Sequence, residues 1–217
     1  MKTAMILAAG RGERLRPITD EIPKAMCRVN NKPLIEYHVA KLASSGFQRI
    51  VINHAYLGGQ IRHYLGDGRK WNIEICYSPE PPGGLETGGG IYNALSLLGK
   101  DPFLTVNADI FTDFDFATLA LDNAALVKLV LVVNPPHNPK GDFGLDEGYL
   151  TNDRTYTYPG IACYHPDVFR ESHPGRYTVV PLIRSLVQKK LAAGELFTGQ
   201  WLDIGAPERL AFANTSN

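Results

Sequence analysis

Two glycines, an arginine and a lysine follow the first apolar run of this chain and together form a site for a multiply charged anion. In TAMILAAGRGERLRPITDEIPK, the apolar stretch Thr3–Leu7 leads into Gly10, Gly12, Arg14 and Lys24. Glycines after a strand let the backbone turn tightly and bring its N–H groups close to an anion. Arg14 and Lys24 then face the same oxygens. A dinucleotide-binding turn also carries glycines at this point, but it wants a third glycine at position 15 and an acid ending the second strand. Leu15 stands at the first of these places, and Asn53 and His54 stand at the second. The cations therefore favour a triphosphate over a dinucleotide.

Three further segments carry candidate chemistry. In VNADIFTDFDF, Asp109 follows a strongly apolar run, which puts a carboxylate at the carboxyl end of a central strand, where open α/β sheets bind ligands. A lone Asp there needs a partner. Mg²⁺ suits it, because a hard ion takes one or two carboxylates plus substrate phosphates and keeps several waters. The alternative is that Asp109, Asp113 or Asp115 caps a following helix. In WLDIG, Asp203 is either a second metal ligand or a turn former. In GGLETGGG, glycines and Thr87 precede a helix, so the backbone is open to a flat ligand edge.

These residues need elements to hold them. Apolar, β-branched runs alternate with segments of helical period, the pattern of an α/β sheet with mostly parallel strands. Strands are expected at Thr3–Leu7, Arg49–Asn53, Ile73–Tyr77, Phe103–Asn107 and Val127–Val133. A helix starts at Pro33, buries Ile35, Val39 and Leu42, and stops at Gly46. Others cover Gly58–Leu65, run from a Thr87 cap to Leu97, and span Phe114–Leu121. NPPHNPKGDFG reads as a loop. Beyond it come a strand at Thr155–Tyr164 and an amphipathic helix at Val180–Ala192, with Leu182, Ile183, Leu186, Val187 and Leu191 inward. A short strand, a turn at Gly205–Pro207 and a last helix complete the pattern. One domain is expected, with a nucleotide-binding half over 1–133 and a second half over 134–217.

Composition narrows the partners. Lys+Arg and Asp+Glu are both 22 in 217 residues, so no overall charge points to nucleic acid or a membrane surface. Cys27, Cys76 and Cys163 are widely spaced and odd in number, which matches neither a disulfide framework nor a thiolate metal site. A cytoplasmic location is expected. The apolar run Ala4–Ala9 is short for a secretion-signal core and continues into GRGER. The six histidines show no metal-ligand spacing, and Trp71 and Trp201 read as packing residues.

Read in order, these segments resemble the sugar-1-phosphate nucleotidyltransferases over nearly the whole chain. The opening pattern LAAGxGxRLxPxTxxxPKxxxxVxxKPxIEY of that family is met by Leu7–Arg14, Leu15, Pro17, Thr19, Pro23–Lys24, Val29, Lys32–Pro33 and Ile35–Tyr37. Its base loop matches Leu85–Gly88, and its metal aspartates match Asp109 and Asp203. Within the family, INHAYLG, LETGGG, VNADIFTDFDF and WLDIGAPERL look most like a uridylyltransferase of hexosamine 1-phosphates.

The resemblance implies a Rossmann-like nucleotidyltransferase fold, with a mixed, mostly parallel central sheet flanked by helices and a small sugar-binding extension. It implies that Leu7, Ala8, Ala9, Gly10, Gly12, Leu85, Thr87, Gly88 and Asn107 hold a nucleoside triphosphate, with UTP favoured. Arg14 and Lys24 would be the catalytic cations, Asp109 and Asp203 the Mg²⁺ ligands, and Gly144 and Gly160 part of the sugar site. An oxygen of the sugar-1-phosphate would attack the α-phosphorus in line, with no covalent enzyme intermediate and no protein partner. This chain departs from the family at Glu86 and Ala108, where glycine is common, and at Tyr158, where asparagine is. Other acceptors and bases, or a non-catalytic nucleotide-binding regulator, are the alternatives.

Overall fold

The structure is a computed structural model that describes residues 1–121 and 124–215. Its strands are β1 (Thr3–Leu7), β2 (Arg28–Val29), β3 (Lys32–Pro33), β4 (Arg49–His54), β5 (Glu74–Pro79), β6 (Phe103–Asn107), β7 (Ile110–Thr112), β8 (Val127–Leu131), β9 (Phe143–Asp146), β10 (Tyr149–Tyr156), β11 (Ile161–Tyr164), β12 (Ala192–Leu196) and β13 (Trp201–Asp203). The helices are α1 (Ile18–Glu21), α2 (Leu34–Ser44), α3 (Gly58–Leu65), α4 (Glu86–Leu98), α5 (Val180–Gln188) and α6 (Pro207–Thr215).

Among the described residues, nine strands form one sheet in the order β5, β4, β1, β6, β11, β8, β12, β10, β9. β7 and β13 form a separate ribbon, and β2 and β3 a small hairpin. β5, β4, β1 and β6 run parallel, as do β8 and β12. β11 is antiparallel to β6 and β8, and β10 is antiparallel to β12 and β9. Most strands point one way within a mixed α/β sheet, as the sequence pattern implies.

Period-two alternation divides β1 between two cores. Ala4 and Ile6 join Ile35, Val39 and Leu42 of α2 and Ile61 and Leu65 of α3. Met5 faces the other way, with Ile91, Ala94 and Leu98 of α4 and Ile183 and Leu186 of α5. Burial on both faces is why these strands read as unbroken apolar runs. β1 lies between β4 and β6, with Leu7 in register with Asn53 on one side and Asn107 on the other. Because the chain order reverses across β1, the carboxyl ends of these strands open a crevice.

Four local expectations are corrected. Phe114–Leu121 forms no helix: Phe114, Phe116 and Leu119 are buried in irregular chain. Asp115 accepts the Ala117 N–H at 3.0 Å, and Asp113 accepts the Gln200 N–H at 2.7 Å, so side-chain bonds replace a helical turn. Thr87 does not cap α4 but lies within it, and its hydroxyl accepts the Val179 N–H at 3.0 Å. The stretch Thr155–Tyr164 is split between the end of β10 and β11, with Gly160 at φ +91° just before β11. Finally, α5 ends at Gln188, because Ala192 opens β12 and pairs with Val127 of β8.

Candidate active site

The crevice at the end of β1 is a cleft of about 310 Å³. Leu7, Ala8, Ala9, Gly10, Gly12, Lys24, Thr87, Asn107 and Asp109 line it, joined by Arg11, Asn53, Glu86 and Arg176. Gly12 sits at φ +72°, where a Cβ would lie 3.0 Å from Lys24 Cβ and from Thr19 Cγ2. That turn brings Lys24 under the loop. The Lys24 ammonium forms an ion pair with Asp109, and their side chains are 13% and 28% exposed. The pair therefore joins the anion loop to the acid that follows β6.

The ribbon of β7 and β13 brings the two candidate metal acids side by side. Asp203 is in register with Ile110, and the Ile204 N–H donates to the Asp109 carbonyl at 2.8 Å. The Asp203 carboxylate receives Arg209 Nη2 at 2.9 Å and lies 3.5 Å from His137 Nε2, both at Oδ2. Arg209 Nε also donates to the Asp203 carbonyl at 2.6 Å. His137 is held below its ordinary value by burial and by Arg209. Arg14 does not line the cleft. Its side chain lies on the Asp203 side, where a Cβ on Gly205 would meet Arg14 Nη2 and Asp203 Oδ1, each at 2.8 Å.

Among the described residues, no group of three or more His, Cys, Asp or Glu side chains could hold a metal ion. The donor set present suits Mg²⁺, which needs only one or two carboxylates when phosphates and water complete its shell. Asp109, in the turn before β7, and Asp203, on β13, are hard oxygen donors brought together by the β7–β13 ribbon beside the anion cleft.

Across the cleft, a part-buried chain of hydrogen bonds ties the phosphate loop to the loop before α4. The Ala8 N–H donates to Asn53 Oδ1 at 2.8 Å, and Asn53 Nδ2 donates to Glu80 Oε1 at 2.6 Å. Glu80 Oε2 then accepts the Leu85 N–H at 2.7 Å. Burial pushes the Glu80 carboxyl above its ordinary value, against the pull of these two donors. The Gly88 N–H is also taken, by the Tyr177 carbonyl at 2.9 Å. Leu85 and Gly88 thus spend their amides on the fold, and it is Glu86 and Thr87 that reach the cleft. Glu86 sits at φ +62° and pairs with Arg176 at 2.9 Å across the cleft mouth.

Gly160 backs the cleft: the Asn107 N–H donates to its carbonyl at 2.9 Å, and a Cβ there would sit 2.2 Å from Asn107 Nδ2. Gly144 lies elsewhere, in β9, where a Cβ would meet Thr151 Oγ1 at 2.2 Å. The Tyr158 hydroxyl is raised by burial, near Tyr164 and Thr105.

Sequence reasoning missed Arg11, Glu80 and Arg176. Arg11 lay in plain view within the glycine loop, stacked over the Tyr56 ring at 3.8 Å. Glu80 and Arg176 carried no local signal, since each acts through a residue distant in sequence.

Residues 3–216 match the nucleotidyl transferase family. The chain is 47% identical to N-acetylmuramate alpha-1-phosphate uridylyltransferase of Neisseria meningitidis serogroup B, over 95% of this chain and 94% of that protein. It is 28% identical to D-glycero-alpha-D-manno-heptose 1-phosphate guanylyltransferase of Campylobacter jejuni, over 94% and 95%. Among solved structures, HddC from Yersinia pseudotuberculosis complexed with GMP-PN superposes with a TM-score of 0.80 at 21% identity, covering 100% of this chain and 99% of that one. With its anion loop, paired acids and mixed sheet already in place, the chain belongs to the nucleotidyl transferase family.

Proposed function

We propose that this protein transfers UMP from UTP to N-acetylmuramate 1-phosphate, or a similar hexosamine 1-phosphate, in a Mg²⁺-dependent reaction that releases pyrophosphate. The observation that carries this reading is the 47% identity, along nearly all of both chains, to the Neisseria uridylyltransferase. A cytoplasmic place in the reuse of cell-wall sugars follows from that substrate. No helix of the described residues is long and apolar enough to cross a membrane.

The cleft supports the chemistry. The Ala8–Gly12 backbone and Lys24 hold the phosphates, Glu86 and Thr87 meet the base, and Asn107, backed by Gly160, closes the wall beside Asp109. Asp109 and Asp203 would hold Mg²⁺, which when bound neutralises phosphate charge. An acceptor phosphate oxygen forms a bond to the α-phosphorus as the bond to the pyrophosphate oxygen breaks. Lys24 balances the charge that moves to the leaving group. Since the attacking oxygen is already ionised, no general base is needed.

The test is pyrophosphate release from UTP, Mg²⁺ and N-acetylmuramate 1-phosphate, with Asp109→Asn as the control. Wild-type release, and a loss of at least about a hundredfold in a folded variant, are expected. Wild-type release with GTP and a heptose 1-phosphate, but not with UTP, would replace the substrate assignment. Near-normal rates in Asp109→Asn would remove the metal role.

A further inference from the structure

A second cavity, of about 600 Å³, opens beside β13, where His137 and Arg209, both at the Asp203 carboxylate, reach its wall. Its walls are apolar at Val133, Pro135, Pro136 and Phe197, and it is closed by Trp201, His137 and Arg209. Trp201 and Asp203 lie two apart on β13, so their side chains share one face of the strand. His137 lies over Trp201 with ring centroids 6.2 Å apart at 31°, and its Nε2 approaches Asp203.

Two features of this cavity are unexplained by nucleotide binding. The Trp201 indole Nε1–H is buried with no hydrogen-bond partner. Such a donor costs about 1–3 kcal/mol until an acceptor reaches it. Charge is also unbalanced: Arg14 and Arg209 both gather at the single carboxylate of Asp203. Arg209 uses Nε and one Nη2 hydrogen on Asp203, which leaves further guanidinium donors for a second anion. Surplus cation, an orphaned donor and an apolar wall together describe a seat for a carboxylate carried on a short hydrocarbon arm.

We propose that this cavity receives the ether-linked carboxylic acid arm of the acceptor sugar, with Arg209 and the Trp201 N–H on the carboxylate and Val133, Pro135 and Phe197 against its carbons. The inference rests on the proposed acceptor and assigns the residues that separate a carboxylate-bearing hexosamine 1-phosphate from the same sugar without the arm. Arg209 both lines this cavity and holds the Asp203 carboxylate, so an acceptor whose phosphate lies near the paired acids can extend its ring along Arg209 into it.

The experiment is calorimetric binding of N-acetylmuramate 1-phosphate and N-acetylglucosamine 1-phosphate, which differ only by the arm. Each is titrated into wild type, Trp201→Phe and Val133→Asp, with an imido-bridged UTP analogue present. Val133 is 68% exposed, so its substitution spares the core even if Trp201→Phe disturbs folding. Wild type is expected to bind the arm-bearing sugar about tenfold tighter or more, the worth of one bond to a charged group. Both variants are expected to erase most of that preference and to leave binding of N-acetylglucosamine 1-phosphate unchanged. Equal wild-type affinities, a preference that survives both substitutions, or an equal weakening of both sugars would overturn the inference. Failure of the proposed reaction itself is read separately, as absence of pyrophosphate release in the wild type.

Discussion

Asn53 and Glu80 are joined by a 2.6 Å hydrogen bond from the Asn53 amide to Glu80 Oε1, and through it the phosphate loop is tied to the base loop. Each partner spends its other atom on a backbone N–H, Asn53 on Ala8 and Glu80 on Leu85. The backbone of α4 abuts the pair, since a Cβ on Gly90 would lie 2.6 Å from Glu80 Oε1 and 2.9 Å from Asn53 Nδ2.

Gly90→Ala therefore tests whether this bond sets the width of the cleft. Alanine is the better helix former by about 1 kcal/mol, so an unconstrained site would be stabilised. Here the added methyl forces the pair apart, and a net loss of about 1–3 kcal/mol in urea unfolding is expected. The Michaelis constant for UTP should rise with it. A stabilised variant with unchanged UTP affinity would show that the pair is slack.

Glu86→Gly separates backbone strain from base contact. Glu86 holds φ +62°, which costs a side-chain-bearing residue about 1–2 kcal/mol. Its ion pair with Arg176 joins side chains 43% and 62% exposed and returns at most about 1 kcal/mol. Glycine should leave the melting temperature unchanged or higher. If the carboxylate meets the base, the same variant should accept a wider range of nucleoside triphosphates, which a substrate panel would reveal.

His38 gives a pH signature. It is buried, bonded through Nε2 to the Ile110 carbonyl at 2.9 Å, and burial lowers it from 6.5 to about 4. The folded protein thus keeps His38 neutral where the unfolded chain protonates it. The stability this contributes is fully present above pH 6.5 and is lost as pH falls towards about 4. The slope in that window should reach about 1.4 kcal/mol per pH unit. His38→Gln, which can still donate to Ile110, should remove that part of the slope in urea melts run with a chelator present. An unchanged slope would place the acid sensitivity elsewhere.

Much of the fold was legible because apolar runs buried on both faces leave a strong trace. β1, β6 and α3 stand where Thr3–Leu7, Phe103–Asn107 and Gly58–Leu65 were expected. The hairpin of β9 and β10 left little trace, since Thr151–Thr155 is largely polar and exposed, and its pairing depends on neighbours rather than on its own residues. At the site, the glycine loop, Lys24 and the two aspartates announced themselves by charge and spacing. Arg14 shows the limit of that reading. Its place in the loop suggested a phosphate ligand, and the structure sets its guanidinium beside Asp203 rather than on the cleft wall, a placement that the spacing alone does not specify. Leu85 and Gly88 show another: backbone amides look alike in sequence whether they are free or already bonded.

The ribbon of β7 and β13 ties Asp109 to a segment made almost at the end of the chain. During synthesis the glycine loop, β1, β4 and β6 all emerge long before Trp201–Asp203. The two acids therefore come together only when β13 pairs with β7, a contact between segments far apart in sequence, whose loop-closure entropy must be met before the site is complete.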